Sequence, residues 1–329
     1  MSSSDTFSRD ILPTKEGKLP FTYQGETYET YYKVVGNLDS TAGVPLVTLH
    51  GGPGSAHHYL LALSDLVSPS PSSSSSETGT NAVIFYDQLG TGNSSHPRDS
   101  KAPSFWTPEL FMEELANLLA GLGVSKKYDL LGHSWGGMLA AQFASAFHNK
   151  QLLAGLRKLI LSSAPASMAL FEQGCAKLVK ELPADVQETL RRHEEDGTTD
   201  SKEYEEAVGV FYERHLCRVK PFPRDLVRSF ECIGEDPTVY HTMNGPSEFH
   251  ITGSLRTWSI IPSIPAISVP TLLLSGAHDE VQEECIQPFF DGIMKAGVKW
   301  AVFAESSHVA HLEERERYIR IVRAFLGGN

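Results

Sequence analysis

Six short apolar runs punctuate the chain, each followed by a glycine-rich or helix-forming stretch, and that alternation leaves few folds open. The runs are Val44–Leu49, Ala82–Tyr86, Tyr128–Leu131, Leu159–Leu161, Thr271–Leu274 and Trp300–Phe303. Strands this short and this uniformly apolar are buried on both faces. Stretches such as Pro108–Leu122 between them carry helical periodicity. Together they predict an α/β fold with a mostly parallel sheet covered by helices on both sides. Upstream, residues 19–36 are rich in Tyr and Thr around Gly25 and predict an antiparallel hairpin.

The alternation stops between about Met168 and Arg256. Apolar residues there recur at helical spacing, as in Tyr204, Ala207, Val208, Phe211, Tyr212 and Leu216. This stretch reads as a helical cap inserted between two strands. The chain then divides into a first core part (1–167), a cap (168–256) and a second core part (257–329), within the one or two domains that 329 residues allow. The last helix, Glu313–Leu326, presents Tyr318, Ile319, Val322 and Phe325 on one face and should pack on the sheet. The serine-rich segment 69–80 cannot bury enough apolar surface to order itself and reads as a flexible surface loop.

Charge narrows the function classes. Lys and Arg number 28 against 40 Asp and Glu, a net charge of −12, with no basic stripe to offset it. Nucleic acid and anionic membrane surfaces are therefore not expected partners. No apolar run reaches the roughly 18 residues of a bilayer span, and Ile260–Leu274 is interrupted by Pro262, Pro265 and Pro270. The first residues lack a charged-then-apolar signal pattern, so a cytoplasmic address is expected. Cys175, Cys217, Cys232 and Cys285 are widely spaced and read as buried thiols rather than a metal or disulfide framework.

The chemistry begins at Gly132-His133-Ser134-Trp135-Gly136, a G-x-S-x-G pattern. An apolar strand leads in and a helix-forming run, Met138–Phe147, leads out, which is the setting of a nucleophile elbow. The glycines let the backbone turn sharply, Ser134 projects its hydroxyl, and the Trp135 N–H at the helix start can hold an oxyanion. A serine needs a base. His308 lies in the loop after the last strand; His311, one helical turn on, competes with it, and the loop position favours His308. Asp279 follows the strand Thr271–Leu274 and supplies the orienting acid. The order Ser134, Asp279, His308 is that of α/β-hydrolases, not of chymotrypsin or subtilisin. Leu49-His50-Gly51-Gly52-Pro53-Gly54 holds backbone open, and a glycine N–H there can complete the oxyanion hole. Asp87–Gly92 has no Lys for a phosphate and reads as a turn supporting the elbow. His57-His58 lacks ligand company, so no metal site is expected.

His50–Gly54, Asp87–Gly92 and Gly132–Gly137 together resemble the proline iminopeptidase (prolyl aminopeptidase) family of α/β-hydrolase serine peptidases, over about Pro20 to Leu326. Met243–Phe249 in the cap is similar to the tricorn-interacting aminopeptidase branch. The resemblance implies Ser134, Asp279 and His308 as the triad, and Gly52 and Trp135 as oxyanion donors. It also implies Glu248 and Glu280 as carboxylates gripping the substrate's α-ammonium group. Forty acidic residues keep ordinary solvated acids as the competing reading of those two. The expected substrate is a short peptide or amino-acid amide losing its first residue, proline or another small apolar one, with no cofactor required. An esterase or amidase acting on a small metabolite would use the same triad without needing a free amine.

Overall fold

A computed structural model describes residues 13–67 and 79–328, so the serine-rich segment lies, except for its last two residues, outside the described residues. Strands β1 (Thr14–Tyr23) and β2 (Glu26–Gly36) form the expected hairpin. Gln24 and Gly25 turn it with φ of 49° and 84°, the turn hand that suits the twist of the flanking strands. There follow β3 (Leu46–Leu49), β4 (Ala82–Tyr86), β5 (Tyr128–His133), β6 (Leu156–Ser162), β7 (Thr271–Gly276) and β8 (Val298–Phe303). They lie in one sheet in the order β1-β2-β4-β3-β5-β6-β7-β8. Neighbours from β4 to β8 run parallel, whereas β2 is antiparallel to both β1 and β4. Every residue of β3, β4 and β5 is buried, as strands covered on both faces must be.

Helices α1 (Pro108–Gly121), α2 (Trp135–Ala146) and α3 (Lys150–Gly155) flank the first half of the sheet. Thr107 caps α1 by accepting from the Leu110 N–H, with Pro108 in the first turn. Between β6 and β7 come five α-helices: α4 (Met168–Val179), α5 (Ala184–Asp196), α6 (Lys202–His215), α7 (Arg224–Glu235) and α8 (Thr238–Met243). The chain leaves the sheet after Ser162 and returns at Thr271, and an isolated antiparallel bridge between Ser167 and Ser259 pins the two ends of the helical segment together. Helix α9 (Glu283–Gly292) precedes β8, and α10 (Ala310–Glu313) and α11 (Arg315–Gly327) close the chain. No helix among the described residues is long and apolar enough to cross a membrane. All four cysteines are free and buried.

Strand order reverses at β3, which sends the chain to β4 on one side and lies against β5 on the other. A crevice opens at such a point beyond the carboxyl ends of the strands, where open α/β sheets bind their ligands.

One buried acid serves this edge from below. Glu114 of α1 is inaccessible, accepts from the Thr30 hydroxyl at 2.6 Å and from the Leu89 N–H at 3.0 Å, and so anchors the loop after β4. Burial raises its carboxyl from 4.5 to about 7. The folded chain then holds a proton that the unfolded chain releases between those values, so this group's contribution to stability falls as pH rises through that window. The stability of the wild type relative to Glu114→Gln should therefore decline from about pH 4.5 to about pH 7, by roughly 1.4 kcal/mol per unit at most. Thermal melts of both proteins across that range check it; a difference independent of pH contradicts it.

Candidate active site

Four loops at the carboxyl ends of β3, β5, β7 and β8 meet at the crevice. Strand β5 ends at His133 and α2 begins at Trp135, so the turn is made by Ser134 alone. Helix α2 thus starts three residues before the helix-forming run suggested, because Gly136 and Gly137, poor helix formers by propensity, allow contacts that larger residues would block. A side chain at 132 would run into the Gly136 carbonyl, and one at 136 into the Leu49 carbonyl. Ser134 itself sits at φ 56°, ψ −126°, a strained conformation that persists only when its surroundings hold it. Its N–H donates to the Ser162 carbonyl at 2.9 Å, and its side chain faces the crevice, half-buried.

Asp279 and His308 come together from β7 and β8. His308 Nδ1 donates to Asp279 Oδ1 at 2.8 Å, and the Val281 N–H donates to the same oxygen at 2.8 Å. Both side chains are buried. Gly276 permits the approach, since a side chain there would strike the Ser306 and Ser307 carbonyls. The loop ahead of His308 is tied down by two acids. Glu313 accepts from the Ser307 N–H and hydroxyl, each at 2.8 Å, and Glu314 from the Glu305 N–H and the Ser306 hydroxyl. That engagement accompanies the break at Glu314 that splits the expected final helix into α10 and α11. His311, the competing histidine, is buried on α10 and donates through Nε2 to the Tyr59 carbonyl at 3.1 Å. It is His308 that meets Asp279.

Ser134, His308, Gly52, Glu248 and Glu280 line one cavity of about 410 Å³. A second cavity of about 290 Å³ shares Gly52, Ser134 and Glu248 with it and adds Trp135. As the first residue of α2, Trp135 has an N–H with no helical acceptor, and Gly52 (φ 108°) lines the same cavity. The two glutamates differ. Glu248, in the segment after α8, keeps partial exposure and accepts from the Tyr240 hydroxyl at 2.8 Å. Glu280 is fully buried, and neither of its carboxylate oxygens has a hydrogen-bond partner among the described residues. Its Oε1 lies 3.6 Å from His308 Nε2. A buried carboxylate left without donors is costly.

The electrostatics follow from that crowding. Burial pushes the Glu280 carboxyl well above its ordinary range, Glu248 and Asp279 push the same way, and His308 opposes them. Burial raises Glu248 as well, against the pull of His308. For His308, burial favours the neutral ring, but the carboxylates of Asp279 and Glu280 outweigh it and lift the imidazole to about 9.

Two supporting chains escaped the sequence reading. The Gly51 N–H donates to the Tyr59 hydroxyl (2.8 Å), which donates to His133 Nδ1 (2.8 Å), and His133 Nε2 donates to the His308 carbonyl (2.8 Å). Burial holds His133 well below its ordinary range, which keeps the ring neutral as this pattern requires. The chain links the glycine loop, the elbow and the His308 loop. On the other side His50 Nε2 accepts from the Gln88 N–H at 3.0 Å, and Gln88 Oε1 accepts from Trp135 Nε1 at 2.9 Å. The turn beginning at Asp87 thereby braces the elbow. His57 pairs with Asp87 at 2.7 Å as part of that brace. His133 occupies a position that the G-x-S-x-G pattern leaves free, and Tyr59 belongs to no motif, so only the folded chain reveals them.

The profile of the Alpha/beta hydrolase family matches residues 46–321. A proline iminopeptidase of Saccharolobus solfataricus is 38% identical over 296 residues, 90% of this chain and 88% of that one. The chain belongs to the proline iminopeptidase family of α/β hydrolases. As a member it is an enzyme of the hydrolase class. Among solved structures, the crystal structure of VinJ is 46% identical with a TM-score of 0.85, covering 94% of this chain and 98% of that one. The proline iminopeptidase of Mycobacterium smegmatis is 38% identical with a TM-score of 0.81, covering 94% and 97%.

Proposed function

We propose that this chain is a serine aminopeptidase that releases the first residue, proline or another small apolar one, from short peptides or amino-acid amides through an acyl-enzyme. The observation that carries this reading is Glu280: a fully buried carboxylate, both oxygens unpartnered, on the wall of the cavity that holds Ser134 and His308. A substrate ammonium is the partner that such a group lacks. Glu248 faces the same space and shares the cation. The cavity beside Trp135 is lined by Met138, Met168, Phe171, Leu255 and Val281, which suits a small apolar side chain on the acyl residue.

In this mechanism His308 Nε2 takes the Ser134 proton as the hydroxyl oxygen bonds to the substrate carbonyl carbon. Negative charge moves onto the carbonyl oxygen, where the N–H groups of Gly52 and Trp135 hold it. His308 passes its proton to the leaving nitrogen as the C–N bond breaks. Water then repeats the sequence on the ester, regenerating Ser134 and freeing the amino acid. Asp279 fixes the imidazole tautomer and stabilises the cation that forms on the ring.

Comparison of an amino-acid arylamide with its N-acetyl form tests the reading. The acetyl form lacks the cation and leaves buried carboxylates uncompensated, so kcat/KM should fall by roughly 100-fold or more. Equal cleavage of both forms would instead indicate an esterase or amidase indifferent to the amine.

A further inference from the structure

The two cavities that meet at Ser134 are not equivalent, and the position of His308 tells them apart. General acid catalysis requires the imidazole within reach of the nitrogen that departs. His308 lines the larger cavity with Ser134 and is not among the residues lining the smaller one. The leaving group therefore occupies the larger cavity. Its wall carries Leu216, Leu226, Phe230, Ile233 and Val309, and the Tyr59 and Ser229 hydroxyls on it are engaged with His133 and the Ala56 carbonyl. No Lys or Arg of the described residues lines it, and its charged acids are Glu248 and Glu280. The nearest basic residue on α7, Arg228, turns outward to Glu231 and Glu235.

We infer that this wall is a leaving-group subsite that selects an apolar amine carrying no negative charge. Its substrates are amides of hydrophobic amines, or peptides whose second residue is hydrophobic and amide-linked onward, in preference to free dipeptides. A free dipeptide would bring its terminal carboxylate into a cavity whose two acids already hold the substrate ammonium and whose wall offers no Lys or Arg to pair it, whereas an amide end brings no charge. This rests on the aminopeptidase reading and adds to it the class of group on the departing side. Leu226 and Phe230 on α7 supply contact to the departing side chain. Ile233, one turn further and half-buried, lines the same cavity, so a lysine there would supply the cation that the wall lacks.

The test measures kcat/KM for four substrates led by the same first residue, proline in one series and alanine in another. They are the leucine amide, the serine amide, the free leucine dipeptide and the aspartate amide. The leucine amide should exceed each of the other three by about tenfold or more, tenfold corresponding to about 1.4 kcal/mol. In Ile233→Lys the advantage of the leucine amide over the free leucine dipeptide should shrink severalfold, while its advantage over the serine amide persists. Equal rates across the four substrates overturn the subsite and leave the aminopeptidase reading standing. Absence of turnover in both series, with the N-acetyl arylamide cleaved, overturns both. An unchanged dipeptide ratio in a folded Ile233→Lys enzyme removes the charge argument and with it the inference.

Discussion

Ser134→Ala is expected to lower kcat by about five to six orders of magnitude while changing stability by about 0.5 kcal/mol or less. The large loss follows from the proposed role of the hydroxyl as the atom that receives the acyl group. What would remain is the contribution of the oxyanion donors and of substrate binding. The small change in stability follows from local structure. Alanine keeps the Cβ of serine, so the strain at φ 56° is the same in both. The elbow is held by the Ser134 N–H to the Ser162 carbonyl and by the close approach of Gly132 to Gly136, neither of which involves the hydroxyl. His308→Ala should cost nearly as much, and the double variant no more than either alone, because the residues act as one unit. Steady-state kinetics on folded enzyme of known protein concentration, with thermal melts alongside, check all of this. A loss below a hundredfold in Ser134→Ala would remove the serine from the chemistry.

Glu280→Gln should have two effects. With a free-amine substrate kcat/KM falls by roughly 100- to 5000-fold, the equivalent of losing a buried ion pair of about 3–5 kcal/mol. With an N-acetylated substrate it holds or rises, because glutamine carries no charge to leave uncompensated. The second effect is on pH dependence. His308 must be neutral to accept the Ser134 proton, and its raised value of about 9 in the free site keeps it cationic below that pH. Activity therefore climbs as pH rises towards it. Glu280 lies 3.6 Å from Nε2 and helps to hold that proton, so its neutral replacement should move the acid limb of kcat/KM to lower pH. The same logic separates two profiles in the wild type. The limb of kcat/KM reports the free enzyme and that of kcat the complex. A bound ammonium cancels the field of the glutamates, so the kcat limb should lie at lower pH than the kcat/KM limb. Because His308 and Glu280 interact strongly, both limbs are properties of the pair. Coincident limbs, or an acid limb unmoved in Glu280→Gln, would show that Glu280 does not act on the imidazole.

The central strands were legible because burial on both faces writes itself as uninterrupted apolar runs, whereas the edge strand β8 is apolar in sequence but largely half-buried or exposed. Thr271–Leu274 and Ala82–Tyr86 needed no further signal. The limits of β1 were not legible. It begins at Thr14 rather than near residue 19, since its outer half is exposed and held by pairing with β2 instead of by burial. The elbow could be read from Gly132, Ser134 and Gly136 because steric need restricts those positions. The choice between His308 and His311 rested on a loop argument, and space supplies the reason: Gly276 opens the path by which Asp279 meets His308, while α10 turns His311 toward Tyr59. Glu248 and Glu280 carried no signal of their own among 40 acids. What distinguishes Glu280 is its lack of donors, a property of the packed interior that no pattern of residue types records.

Covalent labelling bears most directly on the claim that Ser134 carries the acyl group. The enzyme would be incubated with a fluorophosphonate and its modified peptides mapped by mass spectrometry. One adduct per chain is expected, on Ser134, absent from Ser134→Ala and formed far more slowly in His308→Ala. An adduct elsewhere, or a wild-type enzyme that turns over arylamides while Ser134 stays unlabelled, would contradict it.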